Sequence, residues 1–293
     1  MESQWRNDKH RAQWRMTLTE YCKPMSKVRV SEISTDHVMR ALKPIWTTKH
    51  ETASRLRGRI ERVLDFAKAQ GWREGDNPAV WRGHLKALLP ARKKLSKGHH
   101  AALSYKEMPE FMTKLRAKDS ISARALEFLI LTAGRTSEIT KAVRSEIDHE
   151  GKVWRIPAER MKMDRDHNVP LTDRAYELSQ KYDGFTDYLF PGGRRGGHLS
   201  NMAMIKVVKT LGYETVTVHG FRSTFRDWAG DMTIFPREIA EQALAHQIGD
   251  ATEQAYRRSD GIERRRELME AWDRFVSGEG AEIVELRRVY NGT

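Results

Sequence analysis

The chain has 293 residues, 39% of them hydrophobic and 31% charged, which leaves room for two globular domains of roughly 150 residues each. Its one cysteine, Cys22, excludes an internal disulfide framework and a thiolate metal cluster. No apolar run approaches the roughly 18 residues of a membrane span, and the polar opening MESQWRNDKHRAQW lacks the core of an export signal, so the expected compartment is a reducing cytoplasm. The net charge of +12 is unevenly held: residues 1–100 carry 22 Lys/Arg against 10 Asp/Glu, and residues 101–293 carry 30 against 30. An excess confined to the first third is the footprint of a polyanionic partner, most commonly DNA or RNA.

In chain order, residues 1–90 read as a small helical bundle. Trp5, Trp14, Leu18 and Tyr21 form a first stripe, and Asp36 to Ile45 a second helix capped by Ser34 or Thr35. The third helix is the clearest. Leu56, Ile60, Val63, Leu64 and Ala67 recur at helical spacing, Gly71 ends the run, and Lys49, Arg55, Arg57, Arg59 and Arg62 occupy the other positions. A further helix is expected from Pro78 to Pro90. The basic stretch ARKKLSKGHH, with Lys93, Lys94 and Lys97, reads as a linker over 91–102.

From 103 to 277 the pattern predicts a mixed domain. Helices are expected in SYKEMPEFMTKLRA and SARALEFLILTAG, then a hairpin with strands Val153–Ile156 and Asn168–Leu171, then helices over 173–182, 200–211, 220–230, 237–245 and 261–276. A β-like run, Val216 to Val218, leads into HGFR. PGGRRGGH is a loop, without the Gly-Lys-Ser/Thr of a phosphate-binding P-loop. Residues 278–293 form a tail whose Ile283, Leu286 and Tyr290 fall at helical spacing, expected to dock on a neighbouring protomer or in cis.

Four segments set a cation or hydroxyl beside an apolar run: Arg135 in LTAGRTSEIT, Lys162 in ERMKMDRD, His219 and Arg222 in HGFR, and His246 with Tyr256 in LAHQIGDATEQAY. Singly each is ordinary. Arg135 could pair with Glu138, Lys162 is common at a hairpin tip, and His246 and Tyr256 are as easily core residues. Together they can do one chemistry. Two arginines can hold the non-bridging oxygens of a phosphate, where charge grows in the transition state. A tyrosine can then attack phosphorus, a histidine can help remove its proton, and a lysine can protonate the leaving oxygen. No carboxylate cluster suggests metals, and no metal or cofactor is expected.

In this order the residues resemble the tyrosine recombinases, most closely the phage and genomic-island integrase branch. The signature Arg, Lys, His-x-x-Arg, His/Trp, Tyr corresponds to Arg135, Lys162, His219, Arg222, His246 and Tyr256, with RTSEI, VPL and AYRRSD around them. The resemblance implies a helical core-DNA-binding domain (1–90) and a mixed α/β catalytic domain (103–277) forming a C-shaped clamp, mainly α with a small β-hairpin. It implies cleavage and rejoining of double-stranded attachment sites through a 3′-phosphotyrosyl link, with Glu138 steadying the first arginine. It implies a protein that is monomeric when free and tetrameric on two duplexes, with accessory bending or directionality factors, in a bacterial cytoplasm at the nucleoid. The readings set against integration are a type IB-like topoisomerase activity and a non-catalytic DNA-binding remnant. Relatives in this branch usually carry an arm-binding domain ahead of the core-binding one, so a fragment, a truncated gene or a simpler recombinase is expected. LAH also stands in place of the commoner LGH, and Asp164 puts an acid near Lys162.

Overall fold

The computed structural model describes residues 8–90, 101–184, 186–193, 196–246 and 261–279. The chain divides into two compact units, Met1–Lys97 and Gly98–Thr293.

The first unit is built on α1 (Asp8–Tyr21), α2 (Thr35–Trp46) and α3 (His50–Ala69). Ser34 caps α2 reciprocally with His37, whose Nδ1 accepts the Ser34 amide at 3.2 Å. Ala53, Leu56, Ile60, Leu64 and Ala67 form the buried face of α3, the first four clustered with Val38, Leu42 and Leu85. Val63 falls outside that stripe and is exposed, unlike the expectation that it lines the core. The helix expected from Pro78 to Pro90 is also corrected. Val80 and Arg82 are extended, Gly83 sits at φ +73°, and regular helix is confined to α4 (Lys86–Leu88). The left-handed turn at Gly83 breaks the ladder, while Trp81 packs against Trp46 at 5.5 Å between ring centroids.

The second unit runs α5 (Met108–Ala117), α6 (Ile121–Thr132), α7 (Thr136–Thr140), a sheet of β1 (Ile147–Asp148), β2 (Val153–Ile156) and β3 (His167–Pro170), then α8 (Asp173–Gln180), α9 (Ala203–Thr210), α10 (Gly220–Met232), α11 (Arg237–Ala243) and α12 (Ile262–Val276). The sheet is antiparallel in the order β1-β2-β3, with Trp154 opposite Val169 and Ile156 opposite His167. The mainly helical class with a small sheet agrees with the reading from sequence. Among the described residues, the short α7 and β1 are additions to it.

Around the buried α6, which carries Phe128, gather Phe111, Trp154, Phe190, Phe221 and Phe225. Phe225, Trp228, Trp272 and Phe275 form an aromatic cluster where α10 meets α12, the closest pair at 4.9 Å. Trp272 Nε1 also donates to the Ile130 carbonyl at 2.8 Å, so its burial leaves no orphan donor. Each such ring contributes about 2–3 kcal/mol on burial, enough to fix α6, α10 and α12 as one frame.

The run Val216–Val218 is not a strand. It turns back on Tyr213, whose carbonyl accepts the Val216 amide at 3.3 Å, and the Thr217 amide donates to the Ala101 carbonyl at 3.0 Å. The Thr217–Ala101 bond brings the 101–102 segment against Gly220, where a Cβ would lie 2.5 Å from the Ala101 oxygen and 2.9 Å from Ala102 Cα. Glycine is therefore the residue that fits between His219 and Phe221, and the close approach sets where α10 begins. Among the described residues no helix is long and apolar enough to cross a membrane.

Candidate active site

The ends of three elements converge. At the end of α6, Ala133 adopts a left-handed turn (φ +48°), and Arg135 follows as the residue capping α7. On the first turn of α10 stands Arg222. After α11 the chain turns through Leu244 and a second left-handed alanine, Ala245 (φ +47°), to His246. An L-residue in that region carries strain of order 1 kcal/mol. Here both turns direct carbonyls at the arginines.

Arg222 is 4% exposed. Its guanidinium donates to the Ala133 carbonyl, to the Leu244 carbonyl at 2.5 Å, and lies 3.3 Å from His246 Nε2, while its buried Nε has no partner. Burial, then the nearby charge of Arg135, lowers its pKa to about 10, which leaves it a cation at neutral pH. Arg135 donates to the same Leu244 carbonyl at 3.3 Å and to Ala245 at 3.2 Å. Its other terminal nitrogen donates to Glu138 Oε1 at 2.7 Å, and its amide to Glu138 Oε2 at 2.8 Å. Two guanidiniums thus meet at one carbonyl oxygen, backed by a buried carboxylate.

His246 is held from its far side by Glu241 Oε2, 2.6 Å from Nδ1. Burial works against the Glu241 charge, but bonds from His246 and Arg226 outweigh it and hold the carboxyl below its usual range. A carboxylate at Nδ1 fixes the proton there in the neutral ring, so Nε2 faces Arg222 as an acceptor.

The sequence-derived residues are therefore partly brought together. Arg135, Glu138, Arg222 and His246 are joined by direct bonds. His219 is exposed at the N-terminal end of α10, one turn from Arg222, and Lys162 is exposed in the β2–β3 loop. Tyr256 lies outside the described residues, as do Lys93, Lys94, Lys97 and the tail from 280. In the first unit, Lys49 and Arg62 are exposed, and Arg55 pairs with Glu51 at 2.9 Å. Arg57 turns partly inward to Glu61 and the Ala79 carbonyl. Arg59 corrects the expectation of a DNA-facing cation. It is 7% exposed, lies 5.4 Å from the Trp14 ring, and donates to the Gln13 carbonyl and Thr17 hydroxyl. Its work is to join α1 to α3.

Three residues near this site escaped the sequence reading. Glu241 could have been suspected as an acid shortly before a histidine at a helix end. Arg160 donates to the Glu138 carbonyl and to Glu146. His167, on β3, bonds to the backbone of Ala243, and burial together with the charge of Arg265 brings its pKa down to about 4, so it is neutral. No local pattern marks these last two. Among the described residues no group of three or more His, Cys, Asp or Glu could hold a metal ion.

The arrangement compares closely with known proteins. Residues 1–84 match the model of the phage integrase central domain, and residues 102–261 that of the phage integrase family. The chain is 32% identical to prophage integrase IntA of Escherichia coli (strain K12) over 267 residues, 88% of this chain and 63% of that protein. It is 27% identical to the integrase of Enterobacteria phage P4, covering 98% of this chain and 69% of the relative. It thus spans roughly two thirds of these relatives. Its fold is that of lambda integrase residues 75–356, solved as a dimer bound to a core site (TM-score 0.65, 16% identity, 88% of this chain and 91% of that one). It also matches the Tn1549 transposon integrase, solved with circular intermediate DNA (TM-score 0.61, 13% identity, 88% and 92%). The family model covers more than half of the sequence and takes in all six signature positions, so the chain belongs to the phage integrase family, the tyrosine recombinases.

Proposed function

We propose that this protein is a site-specific recombinase that breaks and rejoins double-stranded DNA through a 3′-phosphotyrosyl intermediate, integrating or excising a mobile element. The observation that carries the reading is the convergence of Arg135 and Arg222 on the single Leu244 carbonyl, with His246 alongside. Donors that meet on one oxygen atom can meet equally on the oxygens of one phosphate, where they gain strength as charge develops.

The roles follow from chemistry and family. Arg135 and Arg222 hold the non-bridging oxygens, and Glu138 keeps Arg135 in place. The Tyr256 hydroxyl attacks phosphorus. Its proton passes to a base, with His219 and His246 as the neighbouring imidazoles. The bond from phosphorus to the 5′-oxygen breaks, and Lys162 protonates that oxygen. A 5′-hydroxyl from the partner strand reverses these steps, so the bond energy is conserved and no cofactor is consumed. Lys49, Arg55 and Arg62, with Lys93, Lys94 and Lys97, supply phosphate contacts over the basic first third of the chain. Four protomers act on two duplexes, as in the lambda integrase tetramer solved on a Holliday junction. The tail from 278 docks between protomers. Accessory bending or directionality factors complete the complex, in the cytoplasm at the nucleoid.

Suicide duplexes carrying candidate attachment sites test this. The parent should form a covalent adduct that survives a denaturing gel, and Tyr256→Phe should not. Arg222→Ala should cleave ~10²–10³ more slowly, the usual loss for one oxyanion donor. An adduct that persists in Tyr256→Phe would move the nucleophile elsewhere.

A further inference from the structure

The β2–β3 loop leaves the protein at a fixed point. Arg160 lies two residues before Lys162, and its guanidinium faces inward. One end donates to the Glu146 carboxylate and the other to the main-chain carbonyl of Glu138. Glu138 is the residue whose side chain grips Arg135. Glu146 is buried and also accepts Trp154 Nε1 at 2.9 Å, so it is pinned to the core through β2. Met161, between Arg160 and Lys162, is itself buried. Both residues ahead of Lys162 are therefore anchored, one by packing and one by a charge-assisted fork. A planar guanidinium suits this task because it reaches two acceptors on different elements at once.

We propose that Arg160 is a positioning residue for strand cleavage. It ties the loop bearing Lys162 to the helix that holds Arg135. The group acting on the leaving oxygen and the group holding the non-bridging oxygens then keep a fixed separation across one phosphate. This rests on the reading of Lys162 given above. Misplacement of a reacting group by about 1 Å can cost ~10² in rate, so such a strut has kinetic weight.

The test uses the full chain with Arg160→Met, and Arg155→Met as a control on the same hairpin, where an exposed guanidinium pairs with Asp148 at the surface. Single-turnover cleavage is measured on an ordinary suicide duplex and on one with sulfur at the bridging 5′ position. Arg160→Met should slow cleavage of the ordinary duplex by ~10–10². On the sulfur duplex it should return to within about threefold of the parent, because a thiolate leaves without a proton. Arg155→Met should match the parent on both. Equal slowing on both duplexes, or slowing on neither, overturns the proposal. Lys162→Ala is run alongside. If sulfur fails to rescue it, the reading of Lys162 falls, and hydrogen exchange decides the strut by itself. The Met161 and Asp164 amides, bonded to the Ala158 and Met161 carbonyls, should then exchange faster in Arg160→Met than in the parent, with α12 unchanged. Parental exchange at those amides overturns it. Should Arg160→Met fail to fold, Arg160→Lys, which keeps a charge opposite Glu146, is read by the same outcomes.

Discussion

Replacing Glu138 by glutamine tests the arginine pair where it is most dependent on its surroundings. The Glu138 side chain is 3% exposed and accepts two bonds from Arg135, at 2.7 and 2.8 Å. Both facing groups are donors. Glutamine keeps the shape but offers one oxygen and one NH₂, so one of the two contacts becomes donor against donor. A hydrogen bond to a charged group contributes about 1.5–3 kcal/mol, and losing the negative charge leaves the Arg135–Arg222 pair with Glu241 as the remaining carboxylate acting on Arg222. Arg135 keeps some solvent access, which tempers the repulsion. The expected loss is about 2–4 kcal/mol in the stability of the second unit. For a unit of this size that is a fall in melting temperature of roughly 5–15 °C. Thermal unfolding followed by circular dichroism measures it in chloride and in sulfate. Sulfate should restore the variant more than it raises the parent, because an anion can sit against two guanidiniums that have lost one of their carboxylates. Cleavage should also slow by ~10–10² as Arg135 loses its fixed orientation. A variant melting within about 2 °C of the parent, with no extra benefit from sulfate, would show that Glu138 does not hold the clamp.

Gly220→Ala places a methyl 2.5 Å from the Ala101 oxygen, so the 101–102 segment must shift. A destabilisation of about 1–3 kcal/mol in denaturant titration is expected, and an unchanged midpoint would refute the close approach. The acid response of the second unit should depend on His167. Its folded pKa of about 4 lies below the ordinary 6.5, so the unfolded chain takes up a proton first as pH falls. Stability is therefore full above pH 6.5 and declines between about 6.5 and 4, by up to about 3 kcal/mol. His167→Asn should flatten that decline, and an identical pH profile in the two proteins would count against it. In the first unit, Arg62→Ala should lower the slope of log affinity against log salt by about 1 while leaving stability near parental. Arg59→Met should do the reverse, and matching effects from the two would contradict their opposite burial.

Much of this was written locally. The 3.6-residue recurrence of Leu56, Ile60, Leu64 and Ala67 fixes α3, because only one face of a helix can be buried against the bundle. The β-branched and aromatic run at Val153–Ile156, facing Val169 and Pro170, fixes the hairpin. The order of Arg135, Lys162, His219, Arg222, His246 and Tyr256 marks the chemistry, because each residue type suits one part of a phosphoryl transfer. The tertiary structure decided what happens between distant positions. Arg59 and Arg62 are both arginines on α3, yet one joins α1 to α3 and the other faces solvent. The difference lies in Trp14 and Thr17, which are more than forty residues away in the chain. Arg135 and Arg222 share the Leu244 carbonyl only because the end of α6, the start of α10 and the end of α11 meet at one place, through left-handed turns taken by alanines, Ala133 and Ala245. Arg160 reaches Glu138 and Glu146 outside its own hairpin, and His167 loses its charge first to burial and then to Arg265, almost a hundred residues further along the chain. Periodicity reports which face of an element is buried. It carries no record of which distant carbonyl or carboxylate a long side chain will find there, because that choice is made by packing after the elements have formed.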